Sequence, residues 1–436
     1  MRICASEAAM LIRPLLAGLV LVVLGAAEAA AQEAIVPPSP LPLGWCLERA
    51  ALANPEVASD AAAADAARER VAPAGALPDP RFGYQATNVP TSSWDFNSTP
   101  MSGHQLTLAQ KLPFPGLLGS RQDAARAGAE AAEGIVRDRE RQVAATVERA
   151  WAQLGFAQRA LEITDRNLEL LRQLTRIAET KYRVGTGLQQ DVLRAQVELT
   201  RLLDERIGRV ASISQSEAAL AAVLDLGPGT AFGRTEELAE GAPLPEVEPI
   251  LGRLEGASPV LRALRARIQE AEDLRRVAEL DGYPDFDLGF GYRIRERVAG
   301  DPVSGEDFLT AGVTVRLPVN RSKWRSHVAE RRALLRRAEA DYRAGRAQLR
   351  SALRSRYAEL RRADAAVALL ETGLVPQSRQ SLEASRAGYE VDKVDFLSLV
   401  DSQVSLLEAE LRLERARAER RVAFAGLEAA SGESLR

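Results

Sequence analysis

Pro284-Asp285-Phe286-Asp287-Leu288-Gly289-Phe290-Gly291-Tyr292-Arg293-Ile294 decides how this chain is read. Phe286, Leu288, Phe290, Tyr292 and Ile294 alternate with Asp287, Gly289, Gly291 and Arg293. That is the two-residue period of a strand whose faces meet different surroundings. A loop rich in Gly, Asp and Pro (298–307) leads into a second alternation, Leu309, Ala311, Val313, Val315 and Leu317 against Thr310, Gly312, Thr314 and Arg316. Strands are expected over about 285–294 and 308–317. Working outward, helical spacing precedes the pair from Ser258-Pro259. It resumes after it as one long helix from about Ser322 to Tyr389, a turn at Asp392-Lys393 and a helix to about Ala430.

The same order of pattern stands about 205 residues earlier. Asn54-Pro55 matches Ser258-Pro259, Pro78-Asp79 matches Pro284-Asp285, Leu112-Pro113 matches Leu317-Pro318, and Gln196-Val197 matches Gln403-Val404. The first copy predicts a helix from Trp45 to Val71, strands over about 81–88 and 105–112, a long helix from Ser120 to Arg183, and a return helix from Leu188 to Leu224. The expected organisation is a signal peptide at 1–31, a Pro-rich leader at 32–44 and a first repeat at 45–226. A connection at 227–249, a second repeat at 250–431 and a tail at 432–436 complete it.

Composition narrows the class. Ala, Leu, Arg and Glu dominate the 436 residues, as in long helices, and the net charge of −3 gives no reason to expect a nucleic-acid partner. Arg13, an apolar run over about 15–26 and Ala29-Ala30-Ala31 make an export signal too short to span a bilayer. Cys4 lies within that signal, leaving Cys46 alone and no internal disulfide.

A strand with one apolar and one polar face fits a half-buried soluble sheet as well as a membrane barrel. Three features favour the barrel. Lipid tolerates no unpaired backbone, so four exported strands need copies of themselves to close. The polar face, with Asp287, Arg293, Thr310, Thr314 and Arg316, suits a wet lumen, while Phe286, Leu288, Phe290, Tyr292, Leu309, Val313 and Val315 would face lipid. The long helices find nothing in the chain large enough to bury them, and rods from several subunits could pack around a common axis.

Four motifs carry a resemblance: Cys46-Leu47-Glu48-Arg49-Ala50 with Asn54-Pro55; Leu112-Pro113-Phe114-Pro115-Gly116-x-x-Gly119; Tyr182-Arg183-Val184-Gly185 with Asp191-Val192-Leu193; and Gly388-Tyr389-Glu390-Val391 with Asp395-Phe396-Leu397. Through them nearly all of the chain beyond the signal resembles the TolC-like outer-membrane efflux proteins. The resemblance implies a mainly α fold with a β-barrel part: a homotrimer with a twelve-stranded barrel in the outer membrane of a Gram-negative bacterium and a long α-helical barrel in the periplasm. It implies the exit duct of a tripartite pump, with a periplasmic adaptor and an inner-membrane transporter as partners. Tyr182, Val184, Gly185, Tyr389 and Val391 would then form the docking tips, and Ser398 and Asp401 would stand at the periplasmic constriction. Ser398 departs from the carboxylate common there, and Pro318-Val319-Asn320-Arg321-Ser322 lacks the usual glycines.

Leu77-Pro78-Asp79-Pro80, Asn88-Val89-Pro90 and Pro113-Phe114-Pro115-Gly116 resemble the heavy-metal branch of that family, which implies metal-ion export, with export of drugs or small organic molecules, or secretion, as the alternatives. No cluster with metal-ligand spacing accompanies them, since His104, His327 and Cys46 stand apart. No phosphate-binding, dinucleotide or nucleophile motif is present either, so neither an enzyme nor a cofactor is expected. The alternative is a soluble periplasmic coiled-coil adaptor, which would carry its helical hairpin once rather than in two copies.

Overall fold

The computed structural model describes residues 36–237, 243–303 and 305–435. The expected signal peptide lies outside the described residues. Helix α1 spans Leu43–Ala53, α2 Pro55–Glu69 and α3 Val71–Gly75. Strands β1 (Arg81–Thr87) and β2 (Gly103–Leu112) lead to α4 (Leu117–Arg183) and α5 (Gln189–Val223). The second copy holds α6 (Val247–Ala257), α7 (Pro259–Leu280), β3 (Asp285–Ile294), β4 (Phe308–Arg316), α8 (Arg321–Leu369), α9 (Val375–Glu390) and α10 (Phe396–Ser431). At 67 residues α4 is a rod of roughly 100 Å.

Two expectations about helices are corrected. The single helix expected over 45–71 is broken at Asn54, whose side chain accepts the backbone N–H groups of Glu56 (3.0 Å) and Val57 (3.3 Å). Pro55 occupies the first helical position, where its missing N–H costs nothing, so Asn54 starts a new helix. Ser258-Pro259 does the same for α7, with Ser258 Oγ accepting Leu261 N–H at 3.3 Å. The long helix expected over 322–389 is interrupted by a π-helical turn, Leu370–Leu374, just ahead of Pro376. Pro376 lacks a donor and its ring crowds the carbonyl four residues back, and the wider turn makes room for it.

The four strands form one antiparallel sheet in the order β1-β2-β3-β4. The central pairing, β2 with β3, joins the two repeats, and Leu108↔Phe290 and Thr107↔Gly291 fix its register. β1 and β4 are left as open edges. Below the sheet the helices continue the same slab. In the upper layer the lateral order is α2, α4, α7, α8, and in the lower layer it is α5, α4, α10, α9.

Burial is divided among small cores along this slab. Trp151, Val147, Leu154, Cys46, Leu220 and Leu224 form one, in which Trp151 Nε1 donates to the Leu41 carbonyl at 3.1 Å. Leu254, Leu261, Leu353, Leu360 and Phe424 form its counterpart in the second repeat. Leu174, Leu382, Tyr389, Phe396 and Leu399 close the far end. Among the described residues no helix is long and apolar enough to cross a membrane.

Candidate channel surface and docking tips

Strand register sorts the sheet into two faces, because directly paired residues share a side. One face carries the rows Phe82–Leu108–Phe290–Ala311, Tyr84–Leu106–Tyr292–Leu309, Leu288–Val313 and Leu112–Phe286–Val315. All seven residues expected to meet lipid lie there. The other face carries Gly83–Thr107–Gly291–Thr310, Gln85–Gln105–Arg293 and Lys111–Asp287–Thr314, with Asp285 paired to Arg316. All five residues expected to line a lumen lie on this second face.

The polar face is held together by charge. Arg81 meets Asp287 at 3.2 Å, and Arg293 donates to Gln105 Oε1 at 3.0 Å. Asp285 is 2% exposed and takes both Lys111 (3.2 Å) and Arg316. It sits where β3 enters from the helical layer, so it ties the strand ends of both repeats together. Sequence reasoning missed Asp285, Lys111, Arg81 and Gln105. Their alternation with residues already assigned to that side could have revealed them. Two polar residues stand on the apolar face at its margins. Gln110 donates to the Pro78 carbonyl at 2.8 Å, and His104 is stacked by Phe96 at 3.9 Å and bonded to the Tyr84 hydroxyl at 2.7 Å.

The loop between β3 and β4 is tied down by a carboxylate. Asp301 accepts the backbone N–H groups of Val303 and Gly305 and pairs with Arg295 at 2.5 Å. Burial alone would raise its pKa, but those donors and the guanidinium outweigh it and hold the carboxyl below its ordinary range.

The far ends of the two helical hairpins turn alike. Gly185 (φ +77°) and Asp392 (φ +57°) both adopt the left-handed backbone that ends a helix. Their tyrosines then differ. Tyr182 is 49% exposed, beside Val184 at 67%, and Val391 is likewise exposed. Tyr389, expected beside them on the docking surface, is instead 5% exposed. Its ring packs against Phe396 at 5.5 Å and lies under Lys181 Nζ at 4.4 Å. Lys181 also donates to the Tyr389 carbonyl (2.6 Å) and to Asp392 (2.5 Å), so it pins one hairpin to the other. Burial, followed by the nearby Asp191 and Asp392 charges, pushes the Tyr389 phenol up to about 12.

Asp395 caps α10 by accepting the Ser398 N–H at 2.7 Å, a bond that lowers its pKa. Asp191, on the facing hairpin, has its pKa raised by burial and by the Asp395 charge. Ser398 and Asp401 are exposed on one side of α10, three residues apart. Among the described residues no group of three or more His, Cys, Asp or Glu side chains is arranged to hold a metal ion. Cys46 is buried in the core, and burial pushes its thiol up to about 12.

The family description "Outer membrane efflux protein" fits residues 46–225 and 250–433. The cobalt-zinc-cadmium resistance protein CzcC of Cupriavidus metallidurans is 23% identical over 374 residues, which cover 86% of this chain and 85% of that protein. Among solved structures, the outer membrane protein VceC of Vibrio cholerae superposes with a TM-score of 0.75 at 19% identity, covering 90% of this chain and 97% of VceC. CusC superposes with a TM-score of 0.76 at 14% identity, covering 90% and 92%.

Proposed function

The chain belongs to the outer membrane efflux protein family, whose members are channels of tripartite pumps and not enzymes, and from that premise we propose how this chain builds its duct and what passes through it. Three copies close their four-stranded sheets into one barrel in the outer membrane. Their helices continue as a tunnel through the periplasm, and substrate passes from the adaptor and inner-membrane transporter to the exterior. Nothing favours the soluble adaptor. The observation that carries the reading is the sheet itself, with one apolar face, one charged face and two open edges.

In this reading Asp287, Arg293, Thr310, Thr314 and Arg316 line water, and Phe286, Leu288, Phe290, Tyr292, Leu309, Val313 and Val315 meet lipid. An arginine on the lipid face near mid-membrane costs about 2–4 kcal/mol per copy. Leu288→Arg and Val313→Arg should therefore abolish recovery of the assembled protein from outer membranes, while Thr314→Arg is tolerated. Equal tolerance of all three would refute the assignment of faces. Tyr182, Val184, Gly185 and Val391 form the surface that meets the adaptor, with Tyr389 and Lys181 holding that surface in shape. Asp401, with Ser398 beside it, stands at the periplasmic mouth, and Asp401→Ala should change single-channel conductance in planar bilayers.

The cargo we propose is heavy-metal ions, supported by the kinship with CzcC. A conduit needs no fixed ligand set for its cargo. Deleting the gene should lower tolerance to cobalt, zinc and cadmium while leaving tolerance to organic toxicants unchanged. The reverse pattern would discard the metal assignment.

A further inference from the structure

α8 carries fourteen basic residues and five acidic ones, and they are not spread evenly around it. Arg325, Arg336, Arg343, Arg350, Arg354 and Arg361 lie in one line with Arg332, at intervals of 7, 4, 7, 7, 4 and 7 residues. At about 100° per residue, those intervals return each side chain to within about 20° of a single line along the helix. The line runs straight for roughly 54 Å, and every arginine on it is exposed. The acids of the helix keep away from it. Glu330, Asp341 and Glu359 stand on the opposite side, and Asp364 is taken by Arg420. Arg332 reaches Glu279 of α7 at 3.6 Å. The other six arginines have no ion-pair partner among the described residues.

The first repeat lacks this stripe. At the seven matching positions of α4, Arg126 and Arg137 are offset by Glu130 and Glu148, and the other three carry no charge. The line of arginines therefore belongs to α8 alone.

α6 fixes the side to which the stripe is turned. Arg346 and Tyr357 border the stripe, and both meet α6. Arg346 pairs with Glu255 at 2.5 Å, and Tyr357 packs against the cluster that holds Ile250, Leu251 and Leu254. The stripe thus lies on the slab face that carries α6. Copies of α6 inside the ring would obstruct the tunnel, so this face looks out into the periplasm. Its lower end is still roughly 45 Å short of the turn at Asp392, well clear of the docking tips.

Unanswered like charges on one line repel one another. Mobile counterions do not call for a line, and a lipid headgroup layer would meet only its upper end at Arg325. A straight row of this length matches a second rod lying parallel to the duct.

We infer that the arginine stripe of α8 is a docking face for a periplasmic partner protein. That partner presents a straight acidic helix along the outer wall of the duct, with carboxylates at the spacing of the arginines. The inference rests on the ring proposed above, and the test separates the two. The probe is a synthetic alanine-rich helix with glutamates at the intervals of the stripe, and its control has the same composition with the intervals scrambled. At about 150 mM salt, full-length assembled protein should bind the matched helix about tenfold more tightly than the scrambled one. Arg343→Glu with Arg354→Glu should remove that preference. Both side chains are exposed and unpaired, so assembly should persist in the variant, as sedimentation will show. Ring-sized particles that bind the two helices alike would overturn the stripe and spare the ring, whereas a lone monomer would overturn the ring and the outward face with it. In cells, a photo-cross-linking residue at Ala347, beside the stripe, should capture a segment with this acidic spacing, and the double variant should lose the product. A product on the cell-wall polymer, or on a second copy of this chain, would overturn the partner assigned.

Discussion

α4 and α8 hold the same place in the two repeats, yet they have very different surroundings. Over the stretch of α4 that α8 matches, up to Ile163, eighteen residues are buried, against three of α8. Trp151-Ala152-x-Leu154 of α4 matches Tyr357-Ala358-x-Leu360 of α8. Both leucines are buried, but Ala152 is fully enclosed while Ala358 is exposed. Over 117–150, α4 balances six basic residues with six acidic ones, while α8 is strongly basic. Duplication copied the helix, and its position in the slab then reshaped its surface. α4 has a neighbour on each flank, whereas α8 in the upper layer has one.

The comparison breaks most easily at the paired aromatics. Trp151→Ala should cost about 3–5 kcal/mol in denaturant unfolding, because it empties a closed core and removes the bond to Leu41. Tyr357→Ala, at a partly covered site, should cost less than half of that. Equal losses would mean that α8 is as enclosed as α4. Charge offers the next contrast. Glu148 is buried and pairs with Arg421 at 2.9 Å, and its counterpart in α8 is the exposed Arg354. Glu148→Ala should destabilise by about 3 kcal/mol by leaving Arg421 uncompensated, while Arg354→Ala should stay within about 0.5 kcal/mol. The helix starts should be more alike, since Asn54→Ala and Ser258→Ala each remove a cap worth about 1 kcal/mol. Asn54→Ala should be the costlier of the two, because Asn54 also donates to the Val223 carbonyl at 2.9 Å.

The smallest contrast is at the tips, and it depends on pH. Asp395 has a lowered pKa, so its cap stabilises the tip above the usual carboxylate value of about 4 and is lost as pH falls through the lowered one. Asp191 has a raised pKa, so its charge opposes folding at neutral pH, and that opposition is relieved as pH falls through the raised value. Exchange protection, corrected for the intrinsic pH dependence of amide exchange, over residues 180–200 and 389–400 should therefore rise on mild acidification and fall in stronger acid. Asp191→Asn should abolish the first change, and Asp395→Asn the second.

Much of this architecture was legible in the sequence because it is periodic. The strands announce themselves by alternation, the long helices by unbroken apolar spacing, and the repeat by its paired prolines. Events settled by single side chains were harder to read. Asn54-Pro55 sits between alanine-rich stretches that favour helix on both sides, and the break comes from Pro55, which forces Asn54 out of the helical conformation, together with the Asn54 side-chain cap. Pro376 is absorbed by a local widening of the helix that spacing does not register. The two tip tyrosines lie in similar motifs, and their different burial depends on Lys181, which is distant in sequence from Tyr389. Asp285 was legible as a landmark of the repeat, but its burial between Lys111 and Arg316 requires three strands to be in place.

The pairing of β2 with β3 has a consequence for how such a structure comes together at low copy number. Those strands belong to different repeats, so the peptide chain makes their meeting intramolecular and independent of copy number. In the ring proposed above, half of the joins between repeats are thus made as soon as a single polypeptide folds. Only the remaining joins of the proposed ring would scale with how many molecules the cell supplies, and a sparsely expressed chain would wait with two open edges where two separate repeats would have four.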